Sequence, residues 1–213
     1  MFALIVVFVG FTSINENLFG NTATTAFIPS EEFTAEIEAA SVAEAAKAHL
    51  IQDVIDNPRR VDPLPPEIID NETLWLARVI YSETKRPEEQ ELVAWVVRNR
   101  VETRYRGKSS YRSTVLDPFQ FSAFNPGRKR AHYSSLTATS NAPGFANAIR
   151  IAYSVRMADE SYRPFSLTTR HFYSERSMVG VRHPNWAHTG RLVHPERPFE
   201  LDPLRFRFFE NVA

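Results

Sequence analysis

A chain of 213 residues has room for one domain and an appendage. Hydrophobic residues make up 43% and charged residues 23%, which excludes a wholly disordered chain and a polytopic membrane protein, and a content of only 7 Gly excludes collagen-like and Gly-rich classes. The absence of Cys excludes a disulfide framework, a Cys nucleophile and any Cys-bound metal. The formal net charge of zero hides an asymmetry: residues 1–70 carry a balance of −8 and residues 71–213 a balance of +8. Most of the basic side chains are Arg, whose planar fork binds carboxylates and phosphates. The basic part therefore suits an anionic polymer (nucleic acid, an acidic glycan or a wall polymer), or is simply a solvated face.

The chain opens on an apolar run, Met-Phe-Ala-Leu-Ile-Val-Val-Phe-Val-Gly-Phe, followed by small residues near Ala26. The run is too short to span a bilayer as a helix and has the length of a signal-peptide core. Residues 1–30 are thus expected to be an export or anchor segment, although no Lys or Arg precedes Lys47; a buried hydrophobic strand is the plainer reading. Residues 31–56 read as an acidic, Ala-rich helix, with Phe33, Ile37, Ala40, Ala43 and Leu50 at helical spacing. Asn57-Pro58 ends it, and Pro63, Pro65 and Pro66 mark a linker that completes a region 31–66.

A second helix is predicted from Asn71, as its cap, to about Thr84, with Glu72 in the first turn. A third runs from Pro87 to about Val101, with Glu88 and Glu89 favoured in its first turn by the helix dipole and Leu92, Val93, Val96, Val97 and Val101 facing inward. Residues 104–142 are irregular. Pro143 opens a fourth helix with Phe145, Ile149, Ala152 and Val155 on one stripe. Two strands follow, Thr168-Thr169-Arg170-His171-Phe172-Tyr173 and Arg205-Phe206-Arg207-Phe208-Phe209. Helices first and strands later predict a mainly helical α+β domain with a small antiparallel β portion over residues 67–213.

Glu83 carries the most chemical information. Leu76, Ile80 and Glu83 stand at i, i+4 and i+7, so this carboxylate continues an apolar stripe, and it lies in the last turn of its helix. Partial burial and the negative end of the helix dipole both raise its pKa, while Lys85 and Arg86 oppose that rise. A Glu protonated near neutral pH is what a general acid requires; a surface Glu paired with Lys or Arg is the bland reading. Asn99 and Arg100 read as structural, one closing a loop and the other resting on a carboxylate. The six His show no H-x-x-x-H or H-E-x-x-H spacing, so no metal site is expected.

The segment Leu76-Ala77-Arg78-Val79-Ile80-Tyr81-Ser82-Glu83, followed by Val93-Ala94-Trp95-Val96-Val97-Arg98-Asn99-Arg100-Val101, resembles the spore-cortex-lytic cell-wall hydrolase family (SleB type). Phe119-Gln120-Phe121-Ser122 is similar to that family's Q-F-[ST] segment. The helix around 146–157, the strand His171-Phe172-Tyr173 and Pro184-Asn185-Trp186-Ala187 extend the likeness to about residues 73–195. It departs where Thr84-Lys85-Arg86-Pro87 follows the Glu.

The resemblance implies a lysozyme-like fold, cleavage of peptidoglycan glycan strands, and Glu83 as the catalytic residue. Gln120, Phe121, Ser122, Tyr173 and Trp186 are then the candidates for the sugar groove, since flat aromatic faces stack on sugars and short polar groups hydrogen-bond to them; Phe121, Tyr173 and Trp186 serve equally well as core. Ordinary glycosidases need a second carboxylate, for which Asp117 and Glu175 are the nearest candidates. A lytic transglycosylase needs one, and the expectation leans that way. The expected enzyme is exported to the periplasm or cell envelope and monomeric. It takes peptidoglycan as partner, uses no cofactor, binds no nucleic acid and meets the membrane only through residues 1–30. Two readings compete: a metal-dependent wall amidase, and a non-catalytic peptidoglycan-binding envelope protein.

Overall fold

Asp70 starts the first helix of the domain. Its carboxylate accepts a hydrogen bond from the Thr73 N–H at 2.7 Å, and such a cap contributes about 1 kcal/mol. Asn71, expected as the cap, is instead the first helical residue. The computed structural model describes residues 53, 63–178, 180, 182–196, 202 and 205–212, all within one unit, residues 40–213. The expected export segment and, apart from Asp53, the acidic helix lie outside the described residues. Asp53 is helical and ion-pairs with Arg150.

Five α-helices are described: α1 (Asn71–Glu83), α2 (Pro87–Glu102), α3 (Tyr111–Val115), α4 (Arg128–Ser134) and α5 (Phe145–Met157). The short helices α3 and α4 fall inside the segment expected to be irregular, too brief for a hydrophobic period to show. Ser110 caps α3 reciprocally with Ser113, which is a local signal in the sequence. Gly144 precedes α5 at φ +79°, a conformation that glycine adopts without strain. No helix among the described residues is long and apolar enough to cross a membrane.

Helices α1, α2 and α5 pack on one another. Leu76 and Ile80 on α1, and Phe145, Ile149, Ala152 and Val155 on α5, are buried as their spacing predicts. Helix α2 is withdrawn from water around most of its circumference: Glu89, Gln90, Trp95, Asn99 and Arg100 are buried as well as its apolar stripe. A helix enclosed in this way is the central one, and its polar residues must find partners inside the protein. Asn99 does so by donating to the carbonyls of Ser166 and Thr169 at 3.0 and 2.8 Å, which closes the loop ahead of the sheet.

The sheet has three antiparallel strands, β1 (Thr169–Ser174), β2 (Arg191–Val193) and β3 (Phe206–Glu210), in the order β1-β3-β2. Phe172 stands opposite Phe208, and Tyr173 opposite Arg207. One sheet face, with Phe172, Phe206 and Phe208, completes the helical core. The other, with Tyr173 and Phe209, carries a second small cluster with Val212, Met178 and Trp186. The fold is therefore a mainly helical α+β domain, as the order of the elements predicts, with β2 added beside the two expected strands.

Candidate active site

A cavity of about 490 Å³ lies where the C-terminal end of α1 meets the sheet. Glu83 and Arg100 come from the helices, and Phe119, Gln120 and Ser122 from the loop after α3. Phe172, Tyr173 and Ser174 come from the end of β1, Met178 from the turn beyond it, and Arg205 and Phe206 from the start of β3. The volume is that of a small-ligand cleft. Among the described residues Glu83 is the only carboxylate in its wall.

The turn that presents Glu83 is braced from inside. Thr84 Oγ1 donates to Glu89 Oε2 at 2.5 Å, and Gln90 Nε2 donates to the Thr84 carbonyl at 2.8 Å. Glu89, predicted only as a first-turn acid, is 1% exposed and ion-paired with Arg205 at 2.7 Å. This pairing fixes Arg205 on the far wall of the cavity. Loss of Arg205 would leave the buried Glu89 without its counter-charge, so the pair holds the helix turn and the sheet in a defined relation.

The Glu83 carboxylate makes no hydrogen bond or ion pair to a described residue. Burial raises its pKa from the ordinary 4.5 to about 7, and the Arg100 guanidinium opposes that rise. The expected counter-cations point elsewhere. Lys85 lies over the Tyr81 ring, 3.0 Å from its centroid, and Arg86 leans toward Glu89. Arg100 is buried, donates from Nε to the Arg170 carbonyl at 2.6 Å, and leaves Nη1 with no hydrogen-bond partner among the described residues. Burial brings the Arg100 pKa down to about 10, so it stays charged at neutral pH. When Glu83 loses its proton, this charge is in place to stabilise the carboxylate.

The cavity wall brings together Glu83, Gln120, Ser122 and Tyr173 from the expected set. It does not include Phe121 or Trp186. Phe121 is 2% exposed and belongs to the main core, its ring facing Phe172 and the Arg100 guanidinium. Trp186 packs edge-on against Tyr173 and Phe209 and against the His171 ring, on the sheet face turned away from the helical core. Neither second-carboxylate candidate reaches the cavity. Asp117 is buried between Arg106 at 2.6 Å and Lys108 at 3.8 Å. Glu175 accepts from Tyr173 at 3.1 Å and is paired with His183 and Arg207.

Phe119 and Arg205 are not among the site residues the sequence predicts, and Arg100, read there as structural, also lines the cavity. Phe119 had a signal, an aromatic next to Pro118 in a polar loop. It is 85% exposed at the cavity mouth with φ +63°, and its N–H donates to Asn125 Oδ1 at 3.1 Å. A bulky residue held at positive φ is strained, and such strain collects at functional sites. Arg205 had no signal, because only the fold brings it to Glu89. His171 hydrogen-bonds Tyr105 at 2.9 Å, and burial, with Arg100 and Arg170 nearby, lowers its pKa to about 4, so it is neutral. Among the described residues no three His, Asp or Glu gather as a metal-holding group.

The fold and site define a mainly helical α+β protein with a one-carboxylate cleft rimmed by aromatics and Arg. No family model, curated protein or solved structure matches the chain.

Proposed function

We propose that this protein cleaves the glycan strands of peptidoglycan by lytic transglycosylation, as the resemblance to SleB-type wall hydrolases implies. The observation that carries the reading is Glu83: one carboxylate in the cavity wall, with a pKa of about 7. A carboxyl that titrates near neutrality suits a group that must first give and then take a proton.

Glu83 donates its proton to the glycosidic oxygen as the C1–O bond breaks, and Arg100 stabilises the carboxylate that results. The same carboxylate then accepts the proton of the muramyl 6-hydroxyl as that oxygen attacks C1. The nucleophile belongs to the substrate, so intramolecular attack benefits from a high effective molarity and needs no second carboxylate to position water. Phe119 offers an exposed ring for a sugar face, and Gln120, Ser122 and Tyr173 offer polar contacts. Residues 1–30 take the enzyme out of the cytoplasm to its substrate.

The products decide the chemistry. Mass spectrometry of a purified-wall digest should show anhydromuramyl ends, lighter by one water than hydrolysed fragments and inert to borohydride. Reducible muramyl ends would make water the acceptor and would require a second carboxylate to enter the cleft.

A further inference from the structure

A second concavity of about 320 Å³ adjoins the first, and Ser122 lines both. Its walls are Ser82, next to Glu83 on α1, the Ser122–Ala123 turn, and Arg128, Lys129, His132 and Tyr133 of α4. Arg128 and Lys129 are exposed, and no described carboxylate lies within ion-pair distance of either. The chain around them supplies none: residues 118–158 contain no Asp or Glu. Lys85, over the Tyr81 ring, stands 5.6 Å from the centroid of the Tyr133 ring and adds to the positive potential. Neighbouring like charges without counter-charges repel one another, and a concave wall focuses their field on whatever enters.

We propose that this basic pocket is a subsite for oxyanions carried by the substrate, and that its occupant is the carboxylate-bearing peptide stem of the muramyl residue beside the scissile bond. The assignment rests on the glycan-cleaving reading of the Glu83 cavity. A strand that leaves that cavity over Ser122 brings its next substituent against Arg128 and Lys129. Of the two alternating sugars only muramic acid carries an anionic branch, and the free carboxylates of the stem extend beyond the ring. The pocket then reads which sugar stands on that side of the bond, and it favours strands that keep their stems. A phosphate group of a wall polymer shares the oxyanion chemistry and is separated from the stem by the test.

The test is binding to full-length protein with Glu83→Gln, so that nothing is cut, measured by fluorescence anisotropy with soluble labelled strands. One strand carries intact stems; the other has been stripped by an amidase and retains only its lactyl carboxylate. Stem-bearing strands should bind roughly fivefold more tightly at low salt, since exposed ion pairs are individually weak, and the preference should shrink as salt rises. Adding Arg128→Gln and Lys129→Gln should erase the preference while circular dichroism is unchanged. Equal affinity for both strands, or a preference that survives the double substitution, would overturn the assignment. So would inorganic phosphate binding that needs Arg128 and Lys129 in a protein indifferent to stems; that result would give the pocket to a phosphate-bearing polymer. Cleavage by the wild-type chain is scored separately. A stem preference without cleavage removes the catalytic reading alone, and cleavage without a stem preference removes this one alone.

Discussion

Glu83 stands in the helical wall of the cleft and Glu175 in the turn after β1, outside the cavity lining, and their surroundings are opposite. On the helical wall Glu83 is withdrawn from water, and the cation that acts on it, Arg100, donates its Nε–H elsewhere. In the turn after β1, Glu175 accepts a hydrogen bond from Tyr173 and pairs with His183 and Arg207. Desolvation without partners raises a carboxyl's pKa toward neutrality, whereas partners offset the cost of burying a carboxyl and tie a strand end in place. Six residues beyond Glu83, Glu89 repeats the second pattern with Thr84 and Arg205. The difference lies in the neighbours and not in the residue type.

Replacing Glu83 tests the comparison most strongly. Glu83→Gln removes the transferable proton, so wall cleavage should fall by at least about 10²–10⁴-fold with unchanged circular dichroism. Near-normal cleavage would remove Glu83 from the mechanism. The same variant reports on the pKa. Folding raises the Glu83 value from 4.5 to about 7, so the folded protein keeps a proton that the unfolded chain releases in that window. Its contribution to stability is full below pH 4.5 and lost as pH rises through 7. Gln has no such loss. Relative to wild type, Glu83→Gln should therefore gain up to roughly 3 kcal/mol between pH 4 and pH 8, read from denaturant midpoints at each pH. A constant difference across that range would show that Glu83 titrates normally. In wild type, cleavage should decline above about pH 7 as the acid form of Glu83 is lost.

Two neighbouring aromatics sharpen the contrast between wall and core. Phe121→Ala should lower stability by about 3–5 kcal/mol, because it empties a packed site beside Phe172. Phe119→Ala should leave stability unreduced and raise the KM for wall fragments roughly threefold to tenfold, the scale of one lost stacking contact. The reverse outcome would exchange their assignments. The smallest effect belongs to Glu175→Gln. Cleavage should continue at the wild-type rate, with about 0.2–1 kcal/mol lost from stability, as for other partly exposed ion pairs. A hundredfold loss of rate would instead make Glu175 the missing second carboxylate.

Local pattern carried far in this chain. The 3.6-residue period located α1, α2 and α5 and their buried faces, because a helix that must bury one stripe writes it into consecutive turns. Alternation in aromatic-rich runs located β1 and β3, and the stripe Leu76, Ile80, Glu83 singled out a carboxylate among apolar neighbours. Where no period existed the hydrophobic pattern was silent. Helices α3 and α4 are too short to show one, and β2, at three residues, depends on β3 for its pairing.

Everything that depends on which long-range neighbour arrives was decided by the tertiary structure. Phe119 and Phe121 are the same residue type two positions apart, and a turn at positive φ sends one to solvent and the other to the core. Arg100 lies on the same enclosed helix as the apolar stripe of α2, and only the packing of α1 against α2 sets it beside Glu83. Asp117 and Glu175 are the nearest second-carboxylate candidates in the sequence, and the structure instead engages them with Arg106 and Lys108, and with His183 and Arg207. Composition and periodicity decide which groups leave water. The electrostatic character of a group once it has left depends on which charges are brought beside it, and those distances are set by the fold.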